Sequence, residues 1–385
     1  MTTTLGRVIA ALEAAYPPSA AESWDAVGLI CGDPAEQVTR VLFAVDPTES
    51  VVDEAIEVAA QAVVVHHPLL LRGVTGVPAD DPKGHLVHRL IRASIALYCA
   101  HTNADVADPG VSDALAAAIG VTVTGPLSPN PAPPLDVLTT FVPHADAVEV
   151  LAALHAAGAG QIGNYRDAAF TVAGTGQFLP VDGANPAIGT LGELEHVDET
   201  RVEVVLERRL RTRIVDALRA AHPYEEVALN LHEMADLPSR TGLGRVGVLP
   251  EPEPLSAFVQ RVADGLPPTV QGVRATGDPD RTIHRVAVSG GSGDSLLKAA
   301  TAAGVDAFVT ADLRHHPASE HAAGGAAVPA LVDVAHWASE WPWCEQAAGV
   351  VRSAFDGTVD VLVSTRRTDP WTVGATSLTR RTNQR

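Results

Sequence analysis

Cysteine is scarce in this sequence, and its placement excludes two classes of fold. The three cysteines, Cys31, Cys99 and Cys344, are far apart, odd in number and in no Cys-x-x-Cys spacing. A disulfide framework or a zinc ribbon is therefore not expected. Cysteine usage of this kind suits a reducing compartment, so we expect a cytoplasmic protein.

Long apolar runs and an excess of positive charge are also missing. No stretch is long enough to span a membrane, and the N-terminal segment predicts an amphipathic helix ending before Pro17 instead of a signal peptide. The 46 acidic residues outnumber the 27 basic ones, which gives a net charge of −19. We therefore expect no nucleic-acid partner and no membrane partner, and we expect a site that attracts cations.

Aromatic residues make up only 4% of the chain, whereas 46% of the residues are apolar. The core must therefore consist mainly of alanine, valine and leucine. Three of the five tryptophans, Trp337, Trp341 and Trp343, cluster within seven positions near the C-terminus. Their spacing along a predicted helix favours a place in the core or at a subunit contact over stacking on a substrate.

The order of apolar and polar segments predicts a split α/β protein. Strands and helices alternate up to about residue 125 and again after residue 244, which is typical of mostly parallel sheets with helices on their faces. The segment between them has the βαββαβ order of a ferredoxin-like (α+β) domain. Proline-rich and polar stretches at 125–134 and 235–244 predict extended linkers. The predicted domains are the N-terminal part of an α/β metal-binding core (1–128), an inserted ferredoxin-like domain (129–238) and the C-terminal part of the core (239–385).

Histidines and carboxylates follow three of the predicted strands, at the carboxyl ends where open α/β sheets tend to place ligands. These residues are His66, His67, His101, Asp105, His336 and Glu340. Hydrogen-bonded structural histidines are the alternative interpretation of the His66–His67 pair. Mixed imidazole and carboxylate ligands suit zinc, iron or manganese. Six ligands exceed the needs of one tetrahedral ion, so two divalent ions about 3.5–4 Å apart are expected.

The motifs that carry these residues resemble the Nif-three-like family, whose members are often described as GTP cyclohydrolase 1 type 2 homologues. The similar stretches are "WDAVGLICG" (24–32), "HHP" (66–68), "HTNAD" (101–105) and "AHWASE" (335–340). Ala26 stands where the family usually has asparagine, and Ala335 where it usually has glycine. Three further stretches resemble the additional domain of longer members: "GNY" (163–165), "GTGQF" (174–178) and "HPYEE" (222–226).

The resemblance implies a dinuclear metal centre inside a toroidal homohexamer. Carried over position by position, the metal ligands are His66, His67, Asp105, His336 and Glu340. His101 is an adjacent candidate ligand. In a catalytic role, His101 or a histidine of the 315–316 pair would move protons. The resemblance also implies a small-molecule or nucleotide substrate such as GTP.

Two functions from different classes stay open on the sequence. The first is a metal-dependent hydrolase, in which two ions activate water and polarise the substrate. The second is a non-catalytic metal-binding or regulatory hexameric assembly, whose inserted domain binds partners. The sequence assigns no ligand to the "HPYEE" stretch, where a structured turn is the simpler interpretation.

One further polar stretch has no assigned role. Asp312, His315 and His316 follow another predicted strand, so they could line the cavity and move protons, or could belong to a polar loop. The glycine-rich "SGGSGDS" (289–295) predicts a tight turn from a strand to a helix more strongly than an anion cradle.

Overall fold

The computed structural model describes residues 3–236 and 238–375. The chain divides into two compact units. The first unit contains the chain up to Asn130 and from Arg240 onward, and the second unit is Pro131–Ser239. Within the described residues, every helix is too short or too polar to cross a membrane.

The N-terminal part of the first unit follows the predicted alternation of strands and helices. Its strands are β1 (Thr3–Thr4), β2 (Gly28–Cys31), β3 (Gln37–Val38), β4 (Arg40–Ala44), β5 (Ala62–Val65), β6 (Ala96–Cys99) and β7 (Thr122–Pro131). Its helices are α1 (Leu5–Ala15), α2 (Glu49–Glu57), α3 (Pro82–Arg92), α4 (Thr102–Val106) and α5 (Val111–Ala118). Every residue of β5 is buried, which agrees with its uninterrupted run of alanine and valine.

The second unit contains one antiparallel sheet and two helices. Its elements are β8 (Leu135–Pro143), α6 (Ala147–Ala156), β9 (Phe170–Phe178), β10 (Glu195–Glu207), α7 (Arg211–Ala221) and β11 (Leu229–Glu233). The strand order in the sheet is β11-β8-β10-β9. Apolar residues of both helices, such as Leu154 and Leu218, pack with Leu138 and Val204 of the sheet into a separate core.

The C-terminal part of the first unit returns to alternating elements. Its strands are β12 (Pro238–Pro254), β13 (Arg274–Ala275), β14 (Thr282–Ser292), β15 (Ala307–Ala311), β16 (Ala330–Val334) and β17 (Asp360–Val363). Its helices are α8 (Leu255–Gly265), α9 (Leu297–Ala302), α10 (His315–Ala322) and α11 (His336–Phe355).

The first unit contains two larger sheets. In the five-stranded sheet, β17-β4-β5-β6-β2, all pairs are parallel except β6-β2. In the six-stranded sheet, β13-β16-β15-β14-β12-β7, the three strands β14, β15 and β16 are parallel, whereas β12 is antiparallel to β14 and β13 is antiparallel to β16. The prediction of mostly parallel sheets is therefore correct for the first sheet and wrong for the second, which is mixed.

Helix α11 packs against strands of both sheets, and its buried side chains join their cores. Trp337 and Trp343, two of the three clustered tryptophans, are buried in this core. The third, Trp341, donates a hydrogen bond from its indole N–H to the carbonyl of Ser364 at 2.9 Å. The cluster therefore fixes the helix that begins at His336.

The two stretches predicted as linkers are extended, but most of their residues belong to paired strands. Strand β7 continues to Pro131 and pairs with β12, which begins at Pro238; Leu237 lies outside the described residues. Because β7 is an edge strand, its prolines remove no hydrogen bond from the interior of the sheet. A Cβ at Gly242 would lie 2.7 Å from the Cα of Pro129, so the two strands are close where the second unit begins and ends.

This proximity predicts that the second unit can be removed. Replacing residues 131–239 by a two-residue Asn-Gly turn should give a soluble protein, because both larger sheets and their core stay complete. A single cooperative transition in thermal circular dichroism, with the full chain as control, would be the expected result. Aggregation with every one of several bridge lengths would contradict it.

Candidate metal centre

The predicted site residues lie at the carboxyl ends of neighbouring strands, and the strand register explains why. In the parallel sheet Ala44 pairs with Val65, and Val65 pairs with Cys99. The residues that follow β4, β5 and β6 therefore leave the sheet at the same edge. In the other sheet Ala311 pairs with Val334, which brings the residues after β15 and β16 together.

His66 and His67 both face this region because the backbone turns as β5 ends. The N–H groups of both residues donate to the carbonyl oxygen of Val45, at 3.1 and 2.9 Å. Neighbours in a regular strand would point to opposite faces of the sheet. The turn instead places the two imidazole rings 5.1 Å apart, centre to centre.

The site residues form a cluster of His66, His67, His101, Asp105, His336 and Glu340. Glu340 lies at its centre. Its side chain is buried in the first turns of α11, one helical turn after His336. Its carboxylate oxygens lie 3.0 Å from Nε2 of His67, 3.0 Å from Nε2 of His336 and 3.5 Å from Nε2 of His66. Asp105 approaches from the start of α4, 3.7 Å from the same nitrogen of His66. One carboxylate thus meets three imidazoles.

Each histidine of the cluster uses its other nitrogen, Nδ1, for a hydrogen bond outside the cluster. The acceptors are Ala100 O for His66 (2.9 Å), Asp46 Oδ1 for His67 (2.7 Å), Asp25 Oδ1 for His101 (2.8 Å) and Asp312 Oδ2 for His336 (2.6 Å). A proton on Nδ1 leaves the lone pair of Nε2 directed into the cluster. This pattern of support is characteristic of metal-ligating histidines.

The ligand atoms fit a metal ion, and they form two overlapping groups. In one group the atoms of His66, His67 and His101 lie within 4.8 Å of one another, and in the other those of His67, His336 and Glu340 do so. Nε2 of His66 is fully buried yet has no hydrogen-bond partner among the described residues. A buried polar atom of this kind is costly unless a ligand meets it. These residues could therefore hold a metal ion.

When no metal ion is bound, protons on the histidines balance the negative charge of the carboxylate. Burial alone would lower the pKa of His67, but the carboxylates of Glu340 and Asp46 more than reverse this and raise the pKa to about 11. The same opposition raises the pKa of His336 to about 10. Burial favours the protonated form of Glu340, yet the three neighbouring histidines hold its pKa well below its usual range. The site is therefore built to retain positive charge.

The pKa shifts of Asp105 and His101 differ from those of His67, His336 and Glu340. Burial raises the pKa of Asp105 to about 6, so this carboxylate is ionised at neutral pH and protonated below it. Burial and the neighbouring His66 lower the pKa of His101, which keeps its imidazole neutral. His101 thus offers a free lone pair to a metal ion or to a proton beside His66 and His67.

Gly291 lies near the end of strand β14, within the glycine-rich stretch 289–295. Its backbone has a φ of +62°, and a Cβ there would lie 2.5 Å from Oε1 of Glu340 and 3.2 Å from Nε2 of His336. The N–H of Gly291 donates to Oγ of Ser339 at 2.9 Å. The stretch leads from a strand towards a helix, as predicted, but its first four residues still belong to β14, whose pairing with β15 shifts register between Val288 and Ser292. The lack of a side chain at Gly291 makes room for the Glu340 carboxylate.

Sequence reasoning missed the supporting aspartates. Asp25 and Asp46 hold His101 and His67, and neither was assigned a role, although Asp46 closely follows strand β4 just as the histidines follow theirs. Asp312 had no assigned role in the sequence and here accepts the hydrogen bond of His336. His315 and His316 are instead exposed on α10 and belong to neither group of ligand atoms.

Comparison with known proteins gives a consistent set of relatives. A family model described as Duf34/NIF3 (NGG1p interacting factor 3) matches residues 3–370. A "GTP cyclohydrolase 1 type 2 homolog" of Mycobacterium tuberculosis is 56% identical over 372 residues, covering 96% of this chain and 97% of that protein. One with the same description from Streptomyces coelicolor is 39% identical, covering 97% and 95%.

Solved structures of similar proteins share the fold across almost the whole chain. A Bacillus cereus protein related to NIF3 has a TM-score of 0.72 at 35% identity, covering 97% of this chain and 100% of that one. The Staphylococcus aureus protein SA1388 has a TM-score of 0.78 at 29% identity, covering 97% and 99%.

The charge balance of the cluster predicts that a metal ion displaces protons. At pH 7.5 the raised pKa values of His67 and His336 keep both protonated in the metal-free protein, so zinc binding should release about two protons per chain. The measurement is calorimetric titration of metal-free protein with zinc in buffers of different ionisation enthalpy. A His336→Ala variant should release fewer protons, whereas His315→Ala, an exposed control, should match the wild type. Zinc binding without proton release would contradict the charge balance described above.

Proposed function

We propose that this chain, which belongs to the Duf34/NIF3 family, binds two divalent metal ions and uses them to hydrolyse a small molecule or nucleotide. The observation that carries the proposal is the approach of one buried carboxylate, Glu340, to the Nε2 atoms of three histidines. A carboxylate with two oxygens can bridge two cations, as dinuclear hydrolytic sites require.

The proposed ligands are those that the family resemblance implies. They are His66, His67, Asp105, His336 and Glu340, and their mixed nitrogen and oxygen atoms suit zinc, iron or manganese. Glu340 would contribute the central carboxylate of this ligand set. Asp46 and Asp312 hold two of the imidazoles at Nδ1, so they keep the ring orientation that directs Nε2 at an ion.

The chemistry divides between the ions and the chain. Two bound ions would lower the pKa of a water molecule and would act as Lewis acids toward a carbonyl, ring carbon or phosphate. His101 is the proposed proton-transfer residue, because Asp25 accepts from its Nδ1 and its neutral Nε2 can take up a proton and return it. Trp343, fully buried with its ring 5.2 Å from that of His66, closes the inner side of the site to water.

A nucleotide such as GTP is the proposed substrate. The relatives carry the description "GTP cyclohydrolase 1 type 2 homolog", which concerns those proteins and comes to this chain as a proposal. The net charge of −19 disfavours long polyanions, whereas bound divalent ions would offset the charge of a single nucleotide at the site.

The domain and assembly predictions are part of the same proposal. We propose that the second unit is an inserted ferredoxin-like domain, which its βαββαβ order and antiparallel sheet support. A cytoplasmic homohexamer is proposed from the family resemblance. Large apolar side chains that are exposed in the single chain, including those of Trp24, Phe170 and Trp371, support burial at a subunit contact.

The test compares two substitutions in one helix. Glu340→Gln removes the central carboxylate charge, whereas Glu345→Gln removes an exposed charge of α11 that pairs with Arg352. Elemental analysis of untagged protein should give about two transition-metal ions per chain for the wild type and Glu345→Gln, and fewer for Glu340→Gln. Release of products from a panel of nucleotides should fall by about 100-fold or more in Glu340→Gln alone.

Two outcomes would count against this assignment in different ways. Full metal content in Glu340→Gln would contradict the proposed ligand set. Two bound ions with no turnover on any nucleotide, for each of zinc, iron and manganese, would favour the non-catalytic metal-binding assembly over the hydrolase.

A further inference from the structure

The second unit contains an open cavity of about 680 Å³, a volume typical of small-molecule sites. Its walls come from strands β8, β9 and β10 and from the segments around residues 180–188 and 224–228. Most of the lining is apolar, including Phe141, Val172 and Phe178. Every lining residue belongs to the second unit, so the cavity shares no residue with the candidate metal centre.

Two sequence motifs line this cavity, "GTGQF" (174–178) and "HPYEE" (222–226). Neither has a role in the metal centre. In "GTGQF", a Cβ at Gly174 would meet no atom within 4 Å, so this glycine leaves the space of the cavity open. A Cβ at Gly176 would lie 2.1 Å from Oε2 of Glu199. The second glycine therefore makes room for the Glu199 carboxylate against the strand.

The other motif, "HPYEE", places an aromatic hydroxyl against the same carboxylate. Nε2 of His222 donates to the carbonyl of Phe141 at 2.9 Å, and the N–H of Tyr224 donates to Nδ1 of His222 at 3.1 Å. These bonds fix the loop so that the Tyr224 hydroxyl donates to Oε1 of Glu199 at 3.0 Å. The ring of Phe178 lies 5.7 Å from that of Tyr224.

Glu199 is a buried carboxylate with no cationic partner in the described part of the chain. The residue is only 9% exposed, and among the described residues no arginine, lysine or histidine forms an ion pair with it. Arg201, which also lines the cavity, pairs with Glu203 at 2.7 Å instead. Glu225 and Glu226 add further negative charge to the lining. Burial of a carboxylate without a counter-charge is costly, so the cavity favours a positive occupant.

The surroundings of Glu199 favour an organic cation over a metal ion. Neither group of metal-ligand atoms found among the described residues includes Glu199. The aromatic rings of Phe178 and Tyr224 flank the carboxylate region, and such rings attract organic ammonium groups. The apolar remainder of the lining can cover a hydrocarbon body, which a bare ion would lack.

We propose that this cavity binds a small organic amine in its ammonium form. The ammonium group would pair with the carboxylate of Glu199, and an aromatic or aliphatic body would lie against Phe178 and Tyr224. The occupant is defined by one positive charge on an apolar molecule small enough for the cavity.

Three probes of similar shape and different charge test the proposal on the full-length protein. Phenethylamine is a cation at pH 7.5, phenethyl alcohol is neutral and phenylacetate is an anion. Ligand-observed NMR titrations should give a Kd for the amine that is at least about tenfold lower than that for the alcohol, because a charge-assisted contact to Glu199 is added. Phenylacetate should bind more weakly than either. Equal binding of the three probes, or tighter binding of the anion, would overturn the proposal.

Three substitutions then test whether the probes bind in this cavity. Glu199→Gln should remove the preference for the amine over the alcohol, whereas Glu193→Gln, an exposed control outside the lining, should leave it unchanged. Gly174→Leu places a side chain in open space and should weaken both probes while leaving the Glu199–Tyr224 hydrogen bond in place. An unchanged amine preference in Glu199→Gln would overturn the assignment. Metal content serves as the separate readout of the first unit and should be the same in all three variants.

Discussion

The burial of one carboxylate, that of Glu340, is the constraint on which the candidate metal centre depends. A buried negative charge must be met by positive charge or by strong hydrogen-bond donors, because solvent no longer stabilises it. Three imidazoles surround it and hold its pKa well below the usual range, although burial alone would raise it. Gly291 has no side chain, and a Cβ at its position would collide with this carboxylate. Asp46 and Asp312 fix the rings of His67 and His336, and the carbonyl of Ala100 fixes that of His66. The residues that support this one carboxylate therefore come from both larger sheets.

The sequence predicted the inner part of this arrangement because strand ends can be recognised locally. Buried runs followed by histidine identified His66 and His101, and the i, i+4 spacing identified His336 with Glu340. The supporting hydrogen bonds could not be recognised in the same way. Asp25 meets His101 from 76 residues away in the chain, and only the packing of the folded chain joins the two. Asp312 meets His336 because β15 and β16 are in parallel register, which no local pattern specifies.

The fold could be predicted from the sequence to a similar extent. Periodicity identified the alternating elements and the buried central strand β5, but it did not give the direction of every pairing. Strand β12 is antiparallel to β14, so the second large sheet is mixed. The stretch at 125–134 was recognised as extended from its prolines, whereas its pairing with β12 depends on a partner more than 100 residues away. Proline content predicts local conformation, and pairing is decided by the rest of the sheet.

The central claim is that the Glu340 cluster holds two metal ions, and anomalous X-ray diffraction tests it most directly. Crystals of the protein reconstituted with zinc, measured on both sides of the zinc absorption edge, should show two anomalous peaks per chain about 3.5–4 Å apart. Both peaks should lie within bonding distance of the Glu340 carboxylate. A single peak, or peaks that do not contact Glu340, would contradict this account.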